Sequence, residues 1–247
     1  MAIRTERVGP LVVDIHEPEG ESRLTLLYSH GFGSVRNGEK VLHLGAALTA
    51  AGATLIAPDL QGHGESGGSF GAITLKRSIS DLLSCTALPA FRDAPRRLLG
   101  GSSFGALTAL WTTIENPGLA ERLFLLAPAF RFIERHHDAL TPEEQAQVAR
   151  GEPLRVEKEW FSVDLEADIF LERNERTMER LVAELAVPAL IVHGKHDETV
   201  PLDVVFDFVR ASNAPGLELH VVGDGDHRLT DHKELLAREL LRFAMLD

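Results

Sequence analysis

Short runs dominated by apolar residues alternate along this chain with longer runs of helical spacing, and this alternation restricts the fold more than any other feature. LTLLYS (24–29), TLIAPDL (54–60), RRLLGG (96–101), RLFLLAPAF (122–130), PALIVHG (188–194) and LELHVVG (217–223) are the strand-like runs. A strand with one face in water alternates apolar and polar residues. Strands apolar on both faces belong in a mostly parallel sheet covered by helices on either side. The segments between them supply those helices: EKVLHLGAALTAAG (39–52), LKRSISDLLSCTALPAF (75–91), FGALTALWTTIEN (104–116), PLDVVFDFVRASN (201–213) and HKELLARELLRFAML (232–246). LVVDI (11–15) is a further short strand, paired with RTERV (4–8) across Gly9-Pro10. The fold class is therefore α/β, a doubly wound sheet with helices on both faces.

The series breaks once. Residues 131–180 are rich in Glu, Arg and His and poor in strand-like runs. That is too long for an ordinary connection, so the stretch is expected to be a helical cap inserted over the site. Residues 1–130 and 181–247 then form the core.

A chain of 247 residues suffices for one large domain with a substantial interior. Its net charge of −12 opposes binding to nucleic acid or to an anionic membrane surface. Cys85 is the single cysteine, which rules out an intrachain disulfide and suits a reducing compartment. Its helical setting suggests a buried apolar role. The opening MAIRTERVGP has no apolar leader, and no run reaches membrane-spanning length. A cytoplasmic protein is expected. Composition leaves the oligomeric state open.

Open parallel sheets bind ligands at the carboxyl ends of their strands. At one such end stands GGSSFG (100–105), and Gly101, Ser103 and Gly105 fit G-x-S-x-G. Between a strand and a helix, this pattern marks a tight turn that holds a serine hydroxyl up as a nucleophile, with no room for side chains at the flanking glycines. The spacing selects Ser103 over Ser102. A serine needs a base, and the base needs an orienting carboxylate. Asp197 follows the strand 188–194 and His227 follows the strand 217–223, in the chain order this architecture uses. Among their neighbours, His193 ends a strand and reads as structural, and His232 begins the last helix. Asp224 and Asp226 lie too close to His227 in sequence to orient it comfortably. The backbone N–H groups of Phe104 and of Phe32, in His30-Gly31-Phe32-Gly33, are the expected oxyanion donors.

With these residues in place, the segments HGFGS, PDLQGHGESGG, GSSFGA, HGKHDETVP and GDGDH resemble the α/β-hydrolase superfamily over nearly the whole chain. Within it, the chain is similar to the cinnamoyl and feruloyl esterases and to the mitochondrial acyl-protein thioesterase and acyl-glucuronide esterase group. Many relatives carry a third glycine after G-x-S-x-G, where this chain has Ala106. The resemblance implies hydrolysis of carboxylic esters or thioesters through an acyl-enzyme, and it places PDLQGHGESGG in a loop near the site.

GHGESG (62–67) matches G-x-G-x-x-G, but further glycines delay the next helix, so no dinucleotide site is expected. His136-His137-Asp138 fits no familiar metal spacing. No cofactor and no metal are expected, and the partner is a small-molecule ester or thioester. Phe130, Phe132, Trp160, Phe161 and Phe170 are candidates either for an apolar or aromatic pocket wall or for the cap's own core. Of these, Phe130, Trp160 and Phe161 are carried forward as substrate contacts. Two readings stay open beside the esterase: an acyl-protein thioesterase, peptidase or C–C hydrolase with the same three residues, and a non-catalytic small-ligand binder on the same fold.

Overall fold

A computed structural model describes residues 2–158 and 161–245 of the chain. The strands β1 (Ala2–Val8), β2 (Leu11–Glu17) and β3 (Thr25–Ser29) are followed by α1 (Glu39–Ala50) and β4 (Thr54–Pro58). Next come α2 (Leu75–Thr86), α3 (Pro89–Arg92), β5 (Arg97–Ser102), α4 (Phe104–Glu115) and β6 (Arg122–Leu126). A long excursion carries α5 (Phe132–Asp138), α6 (Pro142–Ala149), β7 (Leu154–Lys158), β8 (Phe161–Leu165), α7 (Asp168–Leu171) and α8 (Met178–Glu184). The chain closes with β9 (Ala189–Gly194), α9 (Leu202–Ala211), β10 (Glu218–Val222) and α10 (Lys233–Ala244).

Eight strands form one sheet in the order β1-β2-β4-β3-β5-β6-β9-β10. The first two pair antiparallel with each other, β2 pairs antiparallel with β4, and the remaining neighbours are parallel. The apolar strands bury alternate residues on opposite faces. Leu26, Tyr28, Leu98, Leu126 and Val192 pack under α1 and α10. Leu27, Leu99, Leu125 and Ile191 pack under α2, α4 and α9. Helix α4 is apolar on almost every side, and Phe104 through Thr113 are all buried, so the turn before it is set in the middle of the molecule. Cys85 is fully buried in α2, and burial pushes its thiol up to about 12, which leaves it inert as a nucleophile.

The connection from β3 through α1 places β4 on one side of β3, whereas β5 lies on the other. The carboxyl ends of β3 and β5 therefore flank the point where the chain reverses direction across the sheet, the place where such sheets hold ligands.

The excursion between β6 and β9 is not wholly helical. β7 and β8 form an antiparallel hairpin that pairs Leu154 with Leu165 and Val156 with Val163. LRVEK and FSVDL alternate apolar and polar residues at period two, which a high content of charged residues obscures. Nor does the excursion have a separate core: Val148, Leu154, Leu165, Phe170 and Leu181 join the apolar cluster of α2 and α4. Polar contacts fasten it as well. The Glu172 carboxylate accepts from the N–H groups of Leu75 and Lys76 at the start of α2, at 2.7 and 2.9 Å. Arg176 pairs with Glu115 on α4 at 2.8 Å. Among the described residues, no helix is long and apolar enough to cross a membrane.

Candidate active site

Ser103 stands between β5 and α4 with φ 53° and ψ −117°, a backbone conformation that costs a non-glycine residue about 1–3 kcal/mol. Surrounding hydrogen bonds hold it there. Its N–H donates to the Leu126 carbonyl at 2.8 Å, and its carbonyl accepts from Leu107 and Ala129 N–H, both at 3.1 Å. The flanking glycines are sterically required. A Cβ on Gly101 would come within 2.5 Å of the Gly105 carbonyl carbon. One on Gly105 would press into the carbonyl oxygens of Ser29 and His30, closer than real Cβ atoms come. Those atoms are backbone of β3 and the loop after it, which cannot yield without opening the sheet. Gly105→Ala is expected to melt at least about 10 °C below the parent and to react poorly at Ser103; thermal denaturation with active-site titration checks this. Ala106, which replaces the third glycine of many relatives, is fully buried inside α4.

Three side chains converge over this turn. The Ser103 hydroxyl lies 3.0 Å from His227 Nε2, and His227 Nδ1 lies 2.7 Å from Asp197 Oδ2. With Nδ1 donating to the carboxylate, Nε2 is free to accept from the hydroxyl. Oδ1 of Asp197 accepts from Thr199 N–H at 2.9 Å and Val200 N–H at 2.8 Å. Burial works to raise the Asp197 pKa, but hydrogen bonds from His227 and Val200 outweigh it and hold the carboxyl below its ordinary value. His193, fully buried beneath, places Nε2 3.0 Å from the Val200 carbonyl and 3.3 Å from Asp197 Oδ2. His196 is exposed. His232 lies 3.5 Å from Asp224, and Asp226 accepts from Leu229 N–H at 2.8 Å.

On the other side of Ser103 runs the loop after β3. A Cβ on Gly31 would lie 3.4 Å from the Ser103 Cβ, so this loop passes directly beside the Ser103 turn and carries Phe32 with it. Two buried histidines fix the loop. His30 Nδ1 donates to the Gly31 carbonyl at 2.8 Å, and its Nε2 accepts from Leu60 N–H at 3.0 Å. His63 Nε2 accepts from Gly33 N–H at 3.1 Å. Burial, reinforced by the neighbouring His63, pushes His30 down to about 4, and burial lowers His63 as well. Both rings are therefore neutral near pH 7 and able to accept. Arg36 anchors the far end of the loop: its guanidinium meets Asp14, Asp59 and Glu65, and its N–H donates to Asp59 at 2.7 Å. The residues from GHGESG thus serve as struts of this loop.

Residues 20–175 match the family described as Serine aminopeptidase, S33. The chain belongs to this family of serine hydrolases. Two curated relatives are each 24% identical to it. One is the mouse mitochondrial palmitoyl-protein thioesterase ABHD10, aligned over 85% of this chain and 71% of its own. The other is a monoacylglycerol lipase of Mycolicibacterium smegmatis, aligned over 89% of both. A solved structure of Est1E from Butyrivibrio proteoclasticus with ferulic acid bound superposes with a TM-score of 0.84 at 21% identity, covering 95% of this chain and 94% of that one. The likeness to Est1E is one of fold, and the fold is that of the α/β hydrolases.

In this S33-family chain, the surroundings of Ser103 differ from the sequence expectation in one respect. Phe130 is fully buried and stacks on Phe208 of α9 at 4.4 Å between ring centroids, so it belongs to the core and not to a pocket wall. Its place is taken two residues on, by Phe132. That ring lies 5.2 Å from Phe104 and 5.7 Å from Phe32, and Phe32 lies 4.8 Å from Phe70. Phe32, Phe70 and Phe132 are only partly buried and form an apolar patch beside Phe104, the residue after Ser103. Trp160 lies outside the described residues. Phe161 begins β8, and its side chain lies outside the described residues. A separate depression of about 390 Å³, lined by His137, Gln145, Leu171 and Arg173 among others, includes none of Ser103, Asp197 and His227.

Proposed function

We propose that the protein hydrolyses carboxylic esters or thioesters through an acyl-enzyme. Ser103 attacks the substrate carbonyl while His227 takes its proton and Asp197 holds the imidazole. His227 returns that proton to the leaving alcohol or thiol, and water then releases the acid from Ser103. The N–H groups of Phe32 and Phe104 receive the oxyanion, and the helix α4, whose N-terminus lies at Ser103, favours negative charge there. The observation that carries this reading is the unbroken chain Asp197–His227–Ser103, at 2.7 and 3.0 Å, on a backbone turn held out of its relaxed conformation.

The substrate is a small molecule with a small or medium, apolar or aromatic acyl group. Phe32, Phe70 and Phe132 support this, since they offer ring faces and no charge beside the acyl carbon. Residues 131–180 act as the cap that selects among such groups, in a cytoplasmic enzyme. The relatives named as a palmitoyl-protein thioesterase and a monoacylglycerol lipase fit acyl transfer to water. A series of p-nitrophenyl esters of rising chain length, an aryl-acid ester, a matched thioester and aminoacyl p-nitroanilides tests the reading. Butyryl to octanoyl or aryl esters are expected to exceed acetate about tenfold in kcat/KM, roughly the worth of burying two methylenes at about 0.8 kcal/mol each. Turnover of the anilides alone would assign the same three residues to a peptidase, and no labelling by a fluorophosphonate would leave only a ligand-binding protein.

A further inference from the structure

The hydrogen bond between His227 and Ser103 joins loops that follow β10 and β5. In the sheet these strands are separated by β6 and β9. The His227 loop is fastened on its Asp197 side: His196 N–H donates to the Gly225 carbonyl at 2.9 Å, and Lys195 N–H donates to the Val222 carbonyl at 2.8 Å. Those bonds tie it to the loop after β9. They do not tie it to the nucleophile turn.

One side chain does. Lys40, in the first turn of α1, donates from Nζ to the carbonyl of Arg228, the residue after His227, at 2.5 Å. The same Nζ lies 3.3 Å from the hydroxyl of Ser102, the residue before Ser103. Ser102 is held in turn by Tyr28 of β3, at 2.5 Å between hydroxyl oxygens. Tyr28 is buried, and burial keeps its phenol above the ordinary range, so it remains a neutral partner.

We propose that Lys40 is a positioning residue for acyl transfer: its ammonium clasps the Arg228 carbonyl and the Ser102 hydroxyl together and thereby sets the distance from His227 Nε2 to the Ser103 hydroxyl. Proton transfer within the attack depends steeply on that distance. The charge on Lys40 strengthens both bonds, because an ionised donor binds about twice as well as a neutral one. Two charged groups bear on its charge, Asp226 and Arg228, both from the His227 loop. The ion pair of Glu39 with Lys233 is formed by its neighbour on α1 and ties that helix to α10. Burial depresses the Lys40 pKa to about 8, with Asp226 opposing the shift and Arg228 adding to it. The clasp therefore weakens through mildly alkaline pH.

The inference rests on Ser103 and His227 being nucleophile and base, and the test separates the two. The rate constant for fluorophosphonate labelling of Ser103 is measured from about pH 6 to about pH 10 in the parent, Lys40→Met and Lys40→Arg. If the parent is not labelled, the enzymatic reading falls, and the inference falls with it. If the parent is labelled, Lys40→Met is expected to react about tenfold more slowly or worse at neutral pH. With a matched ester, the loss should appear in kcat and leave KM within about twofold. Lys40→Arg is expected to recover to within about threefold of the parent and to lack the parent's alkaline inflexion, because a guanidinium does not titrate there. Lys40→Met reacting at the parental rate overturns the inference. So does Lys40→Arg reacting as slowly as Lys40→Met, or the alkaline inflexion persisting in both variants. If Lys40→Met fails to fold, the rate and pH profile of Lys40→Arg decide alone.

Discussion

Ser103→Ala protein is expected to show no fluorophosphonate labelling and to lose hydrolysis of its best ester by a factor on the order of 10⁴ to 10⁶. The size follows from what remains. On the proposed mechanism the Phe32 and Phe104 N–H groups would still polarise a bound carbonyl, but only solvent would be left to attack it. Stability should hardly move, because alanine keeps the Cβ and hence the strain at φ 53°. Ser103→Gly separates chemistry from strain. It is equally inactive, yet it relaxes the backbone, for a net gain of about 1 kcal/mol after the added freedom of the unfolded chain is subtracted. A rise of a few degrees in Tm for Ser103→Gly, set against none for Ser103→Ala, would show that the fold bears a cost to hold this hydroxyl in place. Hydrolysis by Ser103→Ala at the parental rate would move the nucleophile elsewhere.

The positions that proved legible share one property: each stands directly after an apolar strand. Ser103, Asp197 and His227 follow β5, β9 and β10, and a parallel sheet delivers all three to one edge. Knowing the fold class was enough to bring together residues up to 124 positions apart. What stayed hidden depends on neighbours across the sheet or on local patterns overridden by packing. Lys40, Ser102 and Tyr28 are unremarkable one by one, and meet only because α1 folds back over β3 and β5. Phe130 and Phe132 differ by a single turn of backbone after β6, where Arg131 adopts φ 55°, and that turn sends one ring into the core and the other against Phe104 and Phe32. The hairpin of β7 and β8 was masked by its charged outward positions, which resemble those of a solvated helix. Asp14, Arg36 and the loop that holds both Asp59 and Glu65 come from three separate stretches, and only the order β2-β4-β3 makes them a cluster.

That cluster carries a large expected effect on stability. Arg36 is 6% exposed, and the two carboxylates deepest beside it, Asp14 and Asp59, are 5% and 0% exposed. Neither carboxylate depends on Arg36 alone. Thr5 donates to Asp14 at 2.7 Å, and the N–H groups of Arg36 and Glu65 donate to Asp59 at 2.7 and 2.9 Å. These bonds satisfy oxygens, but they do not neutralise two buried negative charges. Arg36→Met removes the only guanidinium placed between them among the described residues, so it is expected to cost about 3–5 kcal/mol, or roughly 6–20 °C in Tm for a chain of this size. The loop from His30 to Arg36 would loosen with it, and Gly31 and Phe32 would lose their fixed position beside the Ser103 turn. The labelling rate should therefore fall even at temperatures where the variant is fully folded. Removing a charge from each side separates electrostatics from lost packing. Arg36→Met combined with Asp59→Leu should recover part of the lost stability, since an apolar replacement for a buried pair is often neutral, whereas a lone buried charge is not. Recovery of Tm without recovery of the labelling rate would show that the buried charges govern stability, while the clasp of Arg36 on Asp59 positions the loop beside the nucleophile. A melting temperature for Arg36→Met within about 2 °C of the parent would mean that water or rearranged side chains compensate the carboxylates, and would remove Arg36 as the anchor of that loop.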